Sequence, residues 1–376
     1  MQELFKAAIE RGASDIHIKA GDVIRARIHG DLVPLTQQKL SQEQVKGIAL
    51  KLIPHEEDRQ DFDKLLDYDC SWGIPGIGRF RVNIMKQRGS PMIVMRVIPI
   101  EIPTIEELGL PPIIERIANH ERGMILVTGV TGSGKSSTMA AMINWMNQNK
   151  KMHIVTLENP IEFLHRDNKC SITQRDIGTD TESFVSGLRA VLRQDPDVIL
   201  IGEMRDKITI ETALKAAETG HLVISTLHTK NAVQTISRII AVFDPGEQEM
   251  IRIRLSEQVQ AVISQRLVQK KAGGRVAAME IMPVTATIRD CIKDKDRIDE
   301  ISDLIEEGKE HYGSQTFDQH LMDLVQRDVV AFEVAKSAAN NPADFDLKMN
   351  MFNDPNAKGQ GQSSMQDEMS QLFGGR

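Results

Sequence analysis

The chain has 376 residues, with 46 Lys and Arg against 53 Asp and Glu and a formal net charge of −7. Its hydrophobic fraction of 41% supports a sizeable core and two domains, while the acidic balance, 4% aromatics and lack of a long Lys/Arg block argue against nucleic acid as a partner. No apolar run approaches the ~20 residues of a membrane span, and Met1-Gln2-Glu3-Leu4-Phe5-Lys6 lacks the layout of a signal peptide, so a cytosolic protein without membrane insertion is expected.

Residues 1–97 read as a small α/β module. Gln2 to Arg11 has helical spacing with Leu4, Phe5, Ala8 and Ile9 on one face, and Gly12 stops it. Asp15 to Lys19 and Ile24 to Ile28 alternate as half-buried strands, with His29-Gly30-Asp31 as a turn. A helix is predicted over Gln42 to Leu52. Cys70 to Ile74 and Arg79 to Ile84 pair as strands across a Pro/Gly turn, and Met92 to Ile98 adds another. Between Ile98 and Pro112, the residues Pro99, Pro103, Gly109, Pro111 and Pro112 mark a linker. From 113 onward short apolar runs alternate with amphipathic helices. Ile154 to Leu157, Val198 to Ile201 and Leu222 to Ser225 have the composition of parallel strands covered on both faces. Lys207 begins a helix that Gly220 ends, Lys270 to Arg275 is a hairpin-like turn, and 297–350 reads as short helices. The tail after Phe352 is rich in Asn, Gly, Gln and Ser and is expected to be disordered; Met365, Met369 and Leu372 at its end can form one amphipathic turn. Cys70, Cys170 and Cys291 lie far apart without C-x-x-C pairing, so free thiols are expected, not a disulfide framework or zinc site.

The chemistry centres on Gly129-Val130-Thr131-Gly132-Ser133-Gly134-Lys135-Ser136. This stretch follows the apolar run Met124 to Val127 and precedes a helical pattern with Met139, Met142, Ile143 and Met146 on one stripe. Strand, glycine loop and helix together make a phosphate-binding P-loop. Its backbone N–H groups curl around an anion, and the helix N-terminus faces the same point. Lys135 supplies charge for the β/γ-phosphates, and the Ser136 hydroxyl is a ligand for Mg²⁺. The expected ligand is a nucleoside triphosphate.

Further stretches each close a predicted strand, where open parallel sheets place their ligands. Thr156 to Glu162 carries Glu158 and Glu162, carboxylates able to orient water. Val198 to Glu203 is an apolar strand ending in an acid, the Walker B pattern that places a carboxylate near Mg²⁺. Gly220 to Thr229 ends a strand at His228, which can hydrogen-bond a γ-phosphate or serve structure alone. Arg79, Arg81 and Arg96 cluster in the first module, and Arg189, Arg193 and Arg205 flank the acidic stretches. Each is either solvated surface or a contact to the phosphates, where arginine from a neighbouring subunit accelerates phosphoryl transfer.

With these residues in place, the chain resembles the secretion/pilus ATPase superfamily, and most closely the type IV pilus retraction ATPases of PilT/PilU type, from Ser14-Asp15-Ile16-His17 to about residue 345. The resemblance implies an α/β fold: a PAS-like N-terminal domain at 1–97, a linker at 98–112, a RecA-like ATPase domain at 113–351 and a tail at 352–376. It implies a homohexamer binding ATP and Mg²⁺ through Gly129, Thr131, Gly132, Ser133, Gly134, Lys135, Ser136 and Ser137, with Ser136 and Glu203 at the metal. By it Glu162 is the general base, Glu203 the Walker B acid, His228 a γ-phosphate contact, and Arg81 and Arg96 sensing arginines. The implied function is pilus retraction at the cytoplasmic face of the inner membrane, with a platform protein and a paralogous retraction ATPase as partners. The family's Glu-Asp-Pro reads Glu158-Asn159-Pro160 here, its retraction signature appears only as Thr287-Ile288-Arg289-Asp290-Cys291-Ile292-Lys293, and Val130 stands where the main motors carry proline. With Thr316-Phe317-Asp318-Gln319 and the extra tail, these departures point to the accessory PilU type. Extension and type II secretion motors usually carry a tetracysteine zinc site and a longer N-terminal region, both missing here. A DNA- or protein-translocating ATPase and a weakly hydrolysing nucleotide-gated scaffold remain alternatives.

Overall fold

The computed structural model describes residues 2–28, 30–98 and 101–353, with side chains to 350. The turn at His29, Pro99 of the linker and the tail turn at Met365, Met369 and Leu372 lie outside the described residues. Contacts divide the chain into two compact units, one formed by Met1–Glu107, Pro111–Leu126 and Ser136–Leu227, the other by Leu108–Leu110, Val127–Lys135 and His228–Arg376.

The first unit begins with α1 (Gln2–Glu10), whose Phe5 and Ala8 are buried and which ends at Gly12, φ +76°. Next come β1 (Ala13–Lys19), β2 (Arg25–Ile28), β3 (Asp31–Pro34), α2 (Gln42–Leu52), the short α3 (Glu56–Gln60), β4 (Asp67–Ile74), β5 (Gly78–Gln87) and β6 (Ser90–Ile98). The helix predicted over Gln42 to Leu52 is the observed α2, started by a capping box on Ser41 and Gln44. The strands form one antiparallel six-stranded sheet in the order β3-β2-β1-β6-β5-β4. One face carries the core, where Phe5, Trp72 and Phe80 pack with ring centroids 5.6–5.9 Å apart. A polar row crosses the sheet, because Ser71 pairs with Arg81, Arg81 with Arg96, Arg96 with Asp15 and Asp15 with Arg27. Directly opposed residues share a face, so Arg81 and Arg96 stand side by side on it.

Beyond α4 (Ile113–Ala118) the wholly buried strand β7 (Gly123–Thr128) leads into the glycine loop, and α5 (Lys135–Asn149) leaves it. Met139, Met142, Ile143 and Met146 form the buried stripe the spacing predicts. There follow β8 (His153–Glu158), β9 (Ser171–Asp176), α6 (Phe184–Val191), β10 (Val198–Ile201), α7 (Lys207–Glu218) and β11 (Leu222–Leu227). Parallel pairings give the order β11-β10-β8-β9. β9 was not legible in the sequence: Ser-Ile-Thr-Gln-Arg-Asp at a sheet edge is partly exposed and carries no apolar run.

In the second unit, α8 (Ala232–Ala241) and α9 (Gln248–Gln258) precede a long antiparallel hairpin of β12 (Val259–Gln269) and β13 (Arg275–Pro283), turned by Gly273 and Gly274 at φ +87° and +73°. The short helices α10 (Ala286–Lys293), α11 (Ile301–Glu307), α12 (Lys309–Tyr312), α13 (Phe317–Gln326), α14 (Phe332–Ala338) and α15 (Pro342–Asn353) complete it. Phe317, Leu321 and Phe345 bury against Val268, Val276 and Ala278 of the hairpin.

Candidate functional site: a phosphate loop and an acidic recess

In the second unit the glycine loop adopts backbone that other residues resist, with φ of +143° at Gly129, +78° at Gly132 and +90° at Gly134. A Cβ at Gly129 would run into the Gln265 carbonyl and lie 2.6 Å from Ser133 Oγ, and one at Gly134 would lie 3.1 Å from Gln265 Nε2. Lys135, at the start of α5, turns back over the loop and donates to the carbonyls of Gly129 at 3.0 Å and Val130 at 3.1 Å. Ser133 Oγ is buried with no hydrogen-bond partner among the described residues. A buried hydroxyl awaiting a partner, beside an ammonium and a cradle that admits no Cβ, fits a phosphate. Thr131 and Gly132 are exposed, and Ser136 and Ser137 are half-buried in the first turn of α5, where a hydroxyl can serve a phosphate-bound cation.

The acidic stretches gather in the first unit. Glu158, at the end of β8, accepts from Thr156 Oγ1 at 2.7 Å, from Gln174 Nε2 at 3.1 Å and from the Glu162 backbone N–H at 3.4 Å. Burial pushes its carboxyl above the ordinary range against the pull of these donors. Glu158 is thus a structural clamp on the loop, while Glu162 is exposed. Glu203 follows β10 and pairs with Arg205 Nε at 2.7 Å, its side chain one-fifth exposed. Both Glu203 and Arg205 line a recess of about 400 Å³ with Arg81, Asn159, Pro160 and Asp176.

This recess is bounded by a latch from the N-terminal sheet. Asp176, 2% exposed at the end of β9, accepts from Arg79 Nη2 at 2.6 Å and Ser71 Oγ at 2.5 Å, and His55 Nε2 lies 2.9 Å from the Gly178 carbonyl. Of the clustered arginines, Arg79 therefore makes the buried ion pair, Arg81 opens onto the recess, and Arg96 pairs with Asp15 at 2.9 Å while staying largely exposed. Burial pushes the Asp15 carboxyl up, but the Ser14 hydroxyl and the Arg96 guanidinium outweigh it and hold the group below its usual range. His228 is exposed just past β11. Arg289 of the signature-like stretch on α10 donates to the Ser256 and Glu257 carbonyls at 2.6 and 2.9 Å, capping the end of α9.

Sequence reasoning missed Gln265, Asp176 and the clamp on Glu158. For Gln265 a signal existed, since the polar run Ser264-Gln265-Arg266 interrupts the apolar residues Ala261 to Ile263 and Leu267 to Val268 of β12. For Asp176 none did, because its partners Ser71 and Arg79 lie about a hundred positions upstream.

Strand, phosphate loop and helix, with acids closing neighbouring strands, define a P-loop nucleotide-binding protein of α/β fold. The family model of type II/IV secretion system proteins matches residues 1–333, and the chain belongs to that family. It is 44% identical to the type IV pilus retraction ATPase PilT of Pseudomonas aeruginosa over 343 residues, 91% of this chain and 99% of that one. With the type IV pilus ATPase PilU of the same organism it shares 38% identity over 359 residues, 95% of this chain and 93% of that one. Among solved structures, the pilus retraction motor PilT with bound ADP superposes with a TM-score of 0.83 at 42% identity, covering 92% of this chain and 98% of that one. The Legionella pneumophila ATPase DotB gives 0.79 at 28%, covering 90% and 94%.

Proposed function

We propose that the chain is an ATP-hydrolysing motor that drives type IV pilus retraction. The observation that carries this reading is the glycine loop, preformed around an unpartnered buried Ser133 hydroxyl and roofed by Lys135, in a chain whose relatives include PilT and PilU. Gly129, Thr131, Gly132, Ser133, Gly134, Lys135, Ser136 and Ser137 hold the triphosphate. Ser136 and Glu203 are the residues suited to Mg²⁺, which when bound neutralises charge on the phosphates. Arg205 pairs with the Glu203 carboxylate and aims it. Glu162 orients the attacking water and draws off its proton, on a loop that Glu158 holds through the Glu162 N–H. His228 contacts the γ-phosphate. Arg81 and Arg96, neighbours on one sheet face, supply positive charge to a nucleotide, and in a homohexamer this nucleotide belongs to an adjacent subunit. The motor acts at the cytoplasmic face of the inner membrane on a platform protein. The departures at Val130 and Thr287 to Lys293 favour the accessory PilU type, working beside a paralogous motor.

Steady-state hydrolysis by the purified chain tests this. Wild type turns over Mg-ATP, Lys135→Ala loses at least 100-fold through lost nucleotide binding, and Glu203→Gln binds nucleotide but stalls. Unchanged turnover in Glu162→Ala removes that residue as the base. Stimulation by DNA favours a translocase instead. Tight binding without turnover, alone or mixed with a paralogous motor, favours a scaffold.

A further inference from the structure

Ser264 and Gln265 are buried polar residues in β12, and both turn to the strand–loop junction of the phosphate site. The Thr128 hydroxyl donates to Ser264 Oγ at 2.9 Å, and Gln265 Nε2 donates to the Ser133 carbonyl at 2.7 Å. Gln265 is 1% exposed, and its own carbonyl is what a Cβ on Gly129 would strike. In a planar trans peptide the C=O and the next N–H point in opposite directions. Anchoring the Ser133 carbonyl on Gln265 therefore turns the Gly134 N–H away from β12 and into the loop. Gly134, at φ +90°, has no side chain to hold that peptide plane. The restraint must come from outside the loop.

We propose that Gln265 is a positioning residue for phosphate binding, its side-chain amide fixing the Ser133–Gly134 peptide so that the Gly134 N–H faces the bound phosphate. The inference rests on the nucleotide-binding reading above. It adds a determinant outside the P-loop sequence itself: a donor from a strand about 130 residues downstream sets the geometry of the anion cradle. Without the donor the peptide rotates, and one N–H of the cradle is lost to the phosphate.

The test uses the full chain. Gln265→Met keeps the length and apolar stem of the side chain but donates nothing. Gln265→Glu donates nothing while ionised, yet its protonated carboxyl again presents an O–H to the Ser133 carbonyl. ADP affinity is read by displacement of a fluorescent analogue between pH 5.5 and 8.5, alongside thermal unfolding without nucleotide. Gln265→Met is expected to unfold within a few degrees of wild type and to bind ADP roughly 5- to 50-fold more weakly, the range of one buried hydrogen bond. Gln265→Glu is expected to bind more weakly still at pH 8.5 and to close on wild type as the pH falls, since burial raises the pKa of the introduced carboxyl. A role in packing alone would shift unfolding and leave no such pH-dependent recovery. ADP affinity in Gln265→Met equal to wild type overturns the proposal, as does a deficit in Gln265→Glu that does not change with pH. Should Gln265→Glu fail to fold, Gln265→Met alone decides. Absence of ADP binding by wild type would instead strike the nucleotide reading itself.

Discussion

His320 lies buried in α13, and its Nδ1 accepts the Met279 backbone N–H at 2.9 Å. Burial pushes its pKa down to about 4, with Lys309 and Arg327 adding to that and Asp323 opposing it. The half-buried His165 ring is likewise pushed down by desolvation, to about 4. Each ring is neutral in the folded chain and takes up a proton more readily when unfolded. Its contribution to stability is complete above the ordinary value of 6.5 and is lost as pH falls through about 4. A displacement of that size corresponds to about 3 kcal/mol per residue. His320→Asn keeps an acceptor for the Met279 N–H and removes the titration, so its loss of stability between pH 7 and 4 in urea unfolding should be smaller than in wild type. An equal loss would mean that the ring does not titrate in this window. Glu280 tilts the opposite way. It accepts the Ala232 N–H at the start of α8, and burial raises its pKa to about 7, with Asp318 adding and Arg266 opposing. Its contribution is present below 4.5 and lost as pH rises through about 7.

At the scale of elements, the latch between the N-terminal sheet and β9 rests on Asp176, which is almost wholly buried between Ser71 and Arg79. Asp176→Asn leaves the Arg79 guanidinium, mostly buried, without its counter-charge, and an uncompensated charge there costs about 3–5 kcal/mol. Urea unfolding should show that loss. Arg79→Met combined with Asp176→Asn should recover part of it, and strict additivity of the two changes would rule out direct coupling. β12 plays the corresponding part in the second unit. Gln265 reaches the phosphate loop, while Arg266 stacks 3.9 Å from the Phe317 ring centre and donates to the Ala338 carbonyl and Asn340 Oδ1. Consecutive residues of one strand thus tie the anion cradle and the C-terminal helices to the same backbone.

At the scale of the whole molecule, the motor reading requires that charge from Arg81 and Arg96 reach a nucleotide held by another subunit. Complementation tests this directly. Arg81→Ala and Lys135→Ala should each be nearly inactive alone, since an arginine in this role contributes about 10³–10⁵-fold. Mixed in one assembly, they should regain a fraction of wild-type turnover, because some sites then combine an intact lysine with an intact arginine. No recovery in assemblies shown by light scattering to contain both variants would place the arginine's action within its own subunit.

Much of the fold was legible because it depends on near neighbours in sequence. The helical stretch of α2, the stripe of α5, the buried runs of β8, β10 and β11 and the left-handed glycines after β7 each state a local preference that the packed chain keeps. The edge strand β9 was not legible, because half-exposed strands lack the apolar signal on which such reading relies. At the site, the sequence by itself determined the glycine loop between β7 and α5 and the acids at the ends of β8 and β10, since each is a short pattern of neighbouring residues. Only the tertiary structure decided that Glu158 is a clamp, that Arg79 and not Arg81 makes the buried ion pair, and that Gln265 holds the Ser133 carbonyl. The physical reason is one of range: backbone conformation and periodicity are set within a few residues, whereas the partner of a buried polar group is set by whichever distant segment packing brings within hydrogen-bond reach.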